Sequence, residues 1–235
     1  MRLDKYVASV SDYSRSEVKK LIRSGRVTVA DQLQRDCRYE IKVSADTEVE
    51  LQVCLDGEPL RAAGFRYIML NKPLGYVSAT KDREHLTVIE LLDEDNSDQL
   101  HIAGRLDIDT TGLVLITDDG QWSHRVTSPR SDCKKVYLLE TIDPITEEAA
   151  RRLEQGVQLD NEKNLTLPAV VERLDEHTAR LSISEGKYHQ VKRMLAAVGN
   201  KVDVLHREQI GAVILDEDLQ PGEYRYLTAQ EIAAL

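Results

Sequence analysis

An acidic loop with one arginine is the stretch of this sequence best suited to chemistry. It spans residues 104–112 and places Arg105 two residues before Asp107, with a second carboxylate at Asp109. The apolar residues 113–117 follow at once and predict a strand that holds the loop. Because catalytic residues concentrate in loops fixed by a rigid scaffold, Asp107 is the first candidate for a catalytic carboxylate.

The two aspartates allow more than one interpretation. A pair of this kind serves as nucleophile and metal ligand in magnesium-dependent phosphohydrolases, where the first aspartate ends a buried apolar strand. Here a glycine and an arginine precede Asp107, and the apolar run comes after it, which disfavours that chemistry. Both residues also suit turns, in which they bond to their own backbone. The turn is the favoured interpretation of Asp109, whereas for Asp107 it stands level with catalysis.

A second group of polar residues lies in segment 185–194. The spacing predicts a helix over 188–198 on which His189, Lys192 and Arg193 share one face. Such a face suits a phosphodiester or a carboxylate partner, although an ordinary solvated surface has the same composition. Its place at a helix start, where backbone amides add positive potential, favours an anion.

An aromatic residue on a predicted strand is a third candidate. Lys135 and Tyr137 are two positions apart and therefore lie on the same side of this strand. A tyrosine there could stack on a nucleobase, but a half-buried structural tyrosine would show the same pattern.

Charge is distributed unevenly along the chain. The whole protein carries 31 Lys and Arg against 41 Asp and Glu, yet residues 1–43 carry ten against six. A local basic surface matters more for nucleic-acid binding than net charge does. In the helix that begins after Ser14, the basic residues fall mostly off the apolar stripe; they are Arg15, Lys19, Lys20 and Arg23.

Element patterns predict an α+β protein. Residues 1–55 read as a compact unit of two helices and short strands, and 56–66 as a linker. Residues 67–235 then form a larger domain, with a mixed, mainly antiparallel sheet and flanking helices.

Several classes of protein are excluded by composition. No apolar run is long enough to span a membrane, and the N-terminus lacks the apolar core of a secretion signal. The three cysteines are Cys37, Cys54 and Cys133, an odd number without paired spacing. They argue against disulfides or zinc, and we expect a cytoplasmic protein.

Four motifs, in this order, resemble those of the pseudouridine synthases that act on small-subunit ribosomal RNA. They are Asn71-Lys72-Pro73-x-Gly75, Gly104-Arg105-Leu106-Asp107-x-x-Thr110-x-Gly112-Leu113, Lys135-x-Tyr137 and Glu185-Gly186-x-x-His189-Gln190-Val191-Lys192-Arg193-Met194. The basic N-terminal unit resembles a small RNA-binding domain first named for a small-subunit ribosomal protein. The resemblance covers nearly the whole chain.

This resemblance implies isomerisation of one uridine to pseudouridine, with no cofactor and no metal. Asp107 would be the catalytic carboxylate, acting as nucleophile at C1′ or as base at C2′. Arg105 would fill the space that a flipped base leaves, and Tyr137 would stack on that base. Lys192 or Arg193 would pair with Asp107, and the register of the motif favours Lys192.

The implied partner is small-subunit ribosomal RNA, free or in a pre-assembled particle, with no membrane partner, and we expect a monomer. The residues expected to bind RNA are Arg2, Lys5, Arg15, Lys19, Lys20, Arg23, Arg26, Lys72 and His189. A non-catalytic RNA-binding assembly factor is the remaining alternative. The intact set of candidate catalytic residues disfavours it.

Overall fold

The computed structural model describes residues 2–11, 13–41, 53–60, 64–128 and 133–235. Contacts between residues divide the chain into two units, Met1–Gly64 and Phe65–Leu235. No helix within the described ranges is long and apolar enough to cross a membrane.

The described part of the first unit has two helices and a four-stranded antiparallel sheet. Its elements are α1 (Leu3–Ser9), α2 (Arg15–Arg23), β1 (Val27–Val29), β2 (Gln32–Gln34), β3 (Val53–Leu55) and β4 (Glu58–Pro59). The strand order is β2-β1-β3-β4. A complete capping box starts α2, because Ser14 and Glu17 each bond the other's backbone amide. Val18 and Ile22 on the apolar stripe of α2 are fully buried.

The predicted linker over 56–66 is wrong at its start. Asp56 and Gly57 both have positive φ, 55° and 87°, and turn β3 back onto β4. An Asp-Gly pair with left-handed backbone favours the two-residue turn of a tight hairpin. The first unit therefore extends beyond residue 55, and the glycine and proline that suggested a linker belong to a hairpin.

The second unit is built on one large sheet. Its strands are β5 (Tyr67–Lys72), β6 (His101–Ala103), β7 (Thr111–Thr117), β8 (Lys135–Thr141), β9 (Val170–Arg173), β10 (Thr178–Ile183), β11 (Val202–Ile210), β12 (Val213–Ile214) and β13 (Tyr224–Tyr226). The order is β13-β5-β7-β11-β8-β10-β9, with β12 on β11 and β6 on β7. The pairing of β7 with β11 is parallel, and the other pairings are antiparallel. The predicted fold class is confirmed.

Helices cover both faces of this sheet. They are α3 (Gly120–Thr127), α4 (Glu147–Gln155), α5 (Gln190–Ala197) and α6 (Ala229–Ala233), with 3₁₀ turns at Val88–Leu91 and Ser97–Gln99. Ile68 of β5 packs in one core with Leu195 of α5. Met69, the next residue, packs on the opposite face with Trp122 of α3. The middle of the sheet is thus buried on both sides and forms a rigid support for the loop between β6 and β7.

Candidate active site

The loop over residues 104–110 is held by buried side chains from other parts of the second unit. Ser78 Oγ donates to the carbonyl of Leu106 (2.9 Å) and accepts from its amide (3.0 Å). Arg207 Nη2 donates to the carbonyl of Gly104 (2.7 Å). Ser78 and Arg207 are both buried. Because buried hydrogen bonds are costly to break, the start and middle of the loop have a fixed backbone.

The end of the loop is held by Lys72, which corrects a prediction. Expected to bind RNA, Lys72 is instead fully buried. Its Nζ donates to the carbonyls of Thr110 (2.7 Å) and Pro73 (3.0 Å). Burial lowers the pKa of Lys72 to about 8, against the opposing effect of Asp109 and Asp107. A lysine enclosed in this way supports the loop and cannot contact a phosphate.

Two residues at the start of α5 contact the carboxylate of Asp107. Lys192 Nζ is 3.1 Å from Oδ2, and His189 Nε2 is 3.3 Å from Oδ1. Each carboxylate oxygen therefore has its own nitrogen neighbour. The Asp107 side chain is 30% exposed, so a substrate can still reach it.

Lys192 also forms an ion pair with Asp109. Partial burial on its own would lower the pKa of Lys192, but its hydrogen bonds to Asp109 and Asp107 outweigh burial and raise this pKa. The same contact lowers the pKa of Asp109 in spite of partial burial. Lys192 therefore stays charged near neutral pH and faces both carboxylates.

Arg193 points away from this cluster. Its guanidinium lies 3.4 Å from Glu162 and also donates to the carbonyl of Asp160. The prediction that His189, Lys192 and Arg193 share one face is therefore wrong for Arg193. His189 has left-handed backbone (φ 47°) and precedes the helix proper, so regular helical spacing does not apply to it. Of the two basic side chains proposed as partners of Asp107, Lys192 makes the contact.

Asp107 lines a cleft of about 850 Å³, together with Tyr137 and Arg207. Tyr137 is 9% exposed. Arg207 Nη1 donates to the Tyr137 hydroxyl at 3.4 Å, and its guanidinium carbon lies 5.9 Å from the centre of the ring. An aromatic ring near a carboxylate in a concave site suits a flat polar ligand such as a nucleobase.

The Arg105 side chain is exposed at this cleft. It makes no hydrogen bond or ion pair with the described residues. A long cationic side chain without an internal partner is free to enter a nucleic acid beside the carboxylate. The role of Arg105 in filling the space of a flipped base stays a prediction.

The geometry disfavours a magnesium-dependent phosphohydrolase. The ammonium of Lys192 contacts both Asp107 and Asp109 and occupies the place between the carboxylates that a divalent cation would need. Within the described residues, no cluster of three His, Cys, Asp or Glu could hold a metal ion.

Arg207 is a site residue that the sequence reasoning missed. It is 2% exposed on β11, and its Nε donates to the carbonyl of Leu113 (2.8 Å). Gly112 lies opposite in the parallel pairing, and a Cβ there would come 2.3 Å from the Arg207 carbonyl oxygen. The alternation of buried Leu205 with Arg207 was the available signal, since residues two apart on a strand share a face.

In the first unit, three of the residues expected to bind RNA form internal ion pairs. Arg2 and Arg15 lie 2.8 Å and 3.2 Å from the buried carboxylate of Asp4. Arg26 pairs with Asp56. These charges are partly neutralised and help to hold the unit together.

The other four residues of that unit that were expected to bind RNA differ. Their side chains make no hydrogen bond or ion pair within the described part of the chain. Three are exposed and one is half-buried. They are Lys5, Lys19, Lys20 and Arg23.

Two family comparisons agree with this division of the chain. Residues 66–197 match the RNA pseudouridylate synthase family, and residues 1–46 match the S4 domain. The first match contains the loop over residues 104–110 and α5, although it ends before Arg207.

Individual relatives match over essentially the full length. The chain is 53% identical to ribosomal small subunit pseudouridine synthase A of Escherichia coli (strain K12), covering 100% of both. It is 54% identical to the protein of that name from Vibrio vulnificus (strain CMCP6), covering 99% of this chain and 98% of the relative. A crystal structure of a pseudouridylate synthase is similar at 45% identity with a TM-score of 0.71, covering 100% of this chain and 99% of that one.

Proposed function

The chain belongs to the RNA pseudouridylate synthase family, and we propose that it isomerises one uridine of small-subunit ribosomal RNA to pseudouridine at Asp107. The observation that carries the assignment is a carboxylate held by Lys192 in a cleft lined by Tyr137. The S4 domain and the full-length similarity to small-subunit pseudouridine synthases support ribosomal RNA as the substrate.

The reaction moves the bond between the uracil and the ribose from N1 to C5. The N1–C1′ bond breaks, the uracil turns, and a C5–C1′ bond forms, after which C5 loses a proton and N1 gains one. The base must first leave the RNA stack. Arg105 is placed to enter the vacated space, and Tyr137 is placed to receive the uracil. No atom or electron leaves the substrate, so the isomerisation balances without a cofactor.

Asp107 acts at the ribose. A carboxylate can attack C1′ as the glycosidic bond weakens, or it can remove the proton at C2′. Either step requires a carboxylate held in a fixed orientation at the ribose. The contact of Lys192 Nζ with Oδ2 (3.1 Å) supplies this orientation.

The substrate enters as free RNA or as a partly assembled particle, and the enzyme works as a cytoplasmic monomer. The nearest support for a monomer is that Asp107, Lys192, Tyr137 and Arg105 all come from one unit of one chain. The position of the target uridine depends on RNA shape as well as on base contacts.

The test is pseudouridine mapping on unmodified small-subunit RNA incubated with the purified protein. The RNA is presented naked and as partly assembled particles. We expect a single new pseudouridine in at least one of the two. If neither substrate gains a pseudouridine, the proposed function is wrong.

A further inference from the structure

Tyr188 is the most exposed large apolar side chain among the described residues, at 75% of its full area. It lines the same cleft as Asp107. Aromatic rings are usually buried, and exposed aromatic rings on RNA-binding proteins are typical platforms for unpaired bases. The exposure of Tyr188 therefore calls for a ligand with a flat face.

The Tyr188 ring is held in place from one side. It stacks on the His189 ring, with 3.8 Å between the ring centres and 21° between the planes. Its backbone carbonyl accepts a hydrogen bond from Arg193 Nη1 at 3.0 Å. Because one face of the ring is covered and the residue is still largely exposed, its other face is open. A ring fixed in this way loses little conformational entropy when a ligand binds.

The stacked pair lies directly beside the proposed reaction centre. His189 Nε2 is 3.3 Å from Asp107 Oδ1, so Tyr188 is separated from the carboxylate by a single imidazole. Tyr137, by contrast, is buried within the cleft. The two tyrosines therefore offer two distinct places for bases, one inside the cleft and one at its rim.

We propose that Tyr188 stacks on the nucleobase next to the target uridine and helps to select the site. This inference rests on the proposed function, because it places the ribose of the target at Asp107. With the target base inside the cleft, the neighbouring nucleotide passes the rim. Stacking tolerates any base but requires that the base be unpaired. The rim therefore selects a target flanked by a single-stranded nucleotide.

Tyr188→Ala tests the proposal on an RNA fragment that contains the mapped target. Loss of one stacking contact should raise both KM and the Kd for this RNA by about tenfold. Tyr188→Phe keeps the ring and should restore most of the affinity. Phe65→Ala, which also removes an exposed aromatic ring from the second unit, should leave KM unchanged.

An abasic nucleotide on either side of the target separates stacking from a general defect. The wild type should lose about tenfold in affinity for one of these two RNAs. Tyr188→Ala should bind that RNA and the intact fragment equally well. An unchanged Kd for Tyr188→Ala, or equal abasic losses in both proteins, would overturn the proposal. A wild type that forms no pseudouridine would count against the proposed function, whereas a mapped target that the wild type and Tyr188→Ala bind equally well would count against the stacking proposal alone.

Discussion

The ammonium of Lys192 lies 3.1 Å from Asp107, on the carboxylate oxygen opposite the one that His189 faces. Lys192 and Asp107 are 85 positions apart in the chain, and they come from a helix and a loop packed on one sheet. The contact fixes the orientation of the proposed catalytic group.

Replacing Lys192 should therefore damage turnover more than folding. We expect Lys192→Met to lower kcat by about 100-fold, the size of effect seen when one preorganised electrostatic contact is removed. Steady-state rates with saturating RNA measure this. Arg193→Met is the matched control, because Arg193 carries the same charge on the same helix but contacts Glu162. Equal losses of kcat in both variants would show that Lys192 has no particular role at Asp107.

Arg207 should contribute mainly to stability. Arg207→Met leaves the carbonyls of Gly104 and Leu113 without their donor, and each unsatisfied buried group costs about 1–3 kcal/mol. Urea unfolding should give a free energy of unfolding that is lower by about 2–4 kcal/mol. The same substitution at exposed Arg105 should change it by less than about 0.5 kcal/mol. Similar values for the two variants would contradict the structural role of Arg207.

The buried ammonium of Lys72 gives a dependence of stability on pH. Its pKa falls from 10.5 to about 8 in the folded protein, so the unfolded chain binds this proton more tightly. Between these two values the unfolded state holds more protons, and stability rises with pH. The wild type should gain up to about 3 kcal/mol relative to Lys72→Met across this range.

Urea unfolding of both proteins from about pH 7.5 to about pH 10.5 measures this difference, because the range includes both pKa values of Lys72. Each pKa unit corresponds to roughly 1.4 kcal/mol. Comparison with the variant removes the contribution of every other titrating group that the two proteins share. A difference that stays constant over the range would mean that Lys72 is more hydrated than the structure shows.

Local signals in the sequence were enough to predict many elements. The sequence pattern of a capping box, with Ser14 and Glu17 at α2 and Thr228 and Glu231 at α6, starts each helix in the structure. Such motifs involve residues three positions apart, so they do not depend on the rest of the fold. The antiparallel character of the sheet followed from short connections between strands.

Tertiary contacts limited the prediction of the site. A lysine before a proline, Lys72, suggests a surface turn, and only the carbonyls of the distant loop explain its burial. Arg207 bonds residues that lie about 100 positions earlier. The ion pairs of Arg2 and Arg15 depend on the buried carboxylate of Asp4, which a reading of surface charge does not reveal.

The unpaired basic residues of the S4 domain should act on RNA affinity. Combined replacement of Lys19, Lys20 and Arg23 by Gln should raise the Kd for the RNA and weaken its dependence on salt. Each lost phosphate contact removes about 0.7–0.9 from the slope of log K against log salt. Arg26→Gln should change the slope less, because Arg26 already pairs with Asp56. If Arg26→Gln alone has the effect of the triple variant, RNA binding involves a different surface.

The most direct test of the account is Asp107→Asn, assayed for pseudouridine formation and for RNA binding. The amide keeps the shape of the side chain but can neither attack C1′ nor accept a proton at C2′. We predict no detectable pseudouridine after prolonged incubation with saturating enzyme, and an RNA affinity close to that of the wild type. Measurable turnover by this variant would contradict the assignment of Asp107 as the catalytic carboxylate.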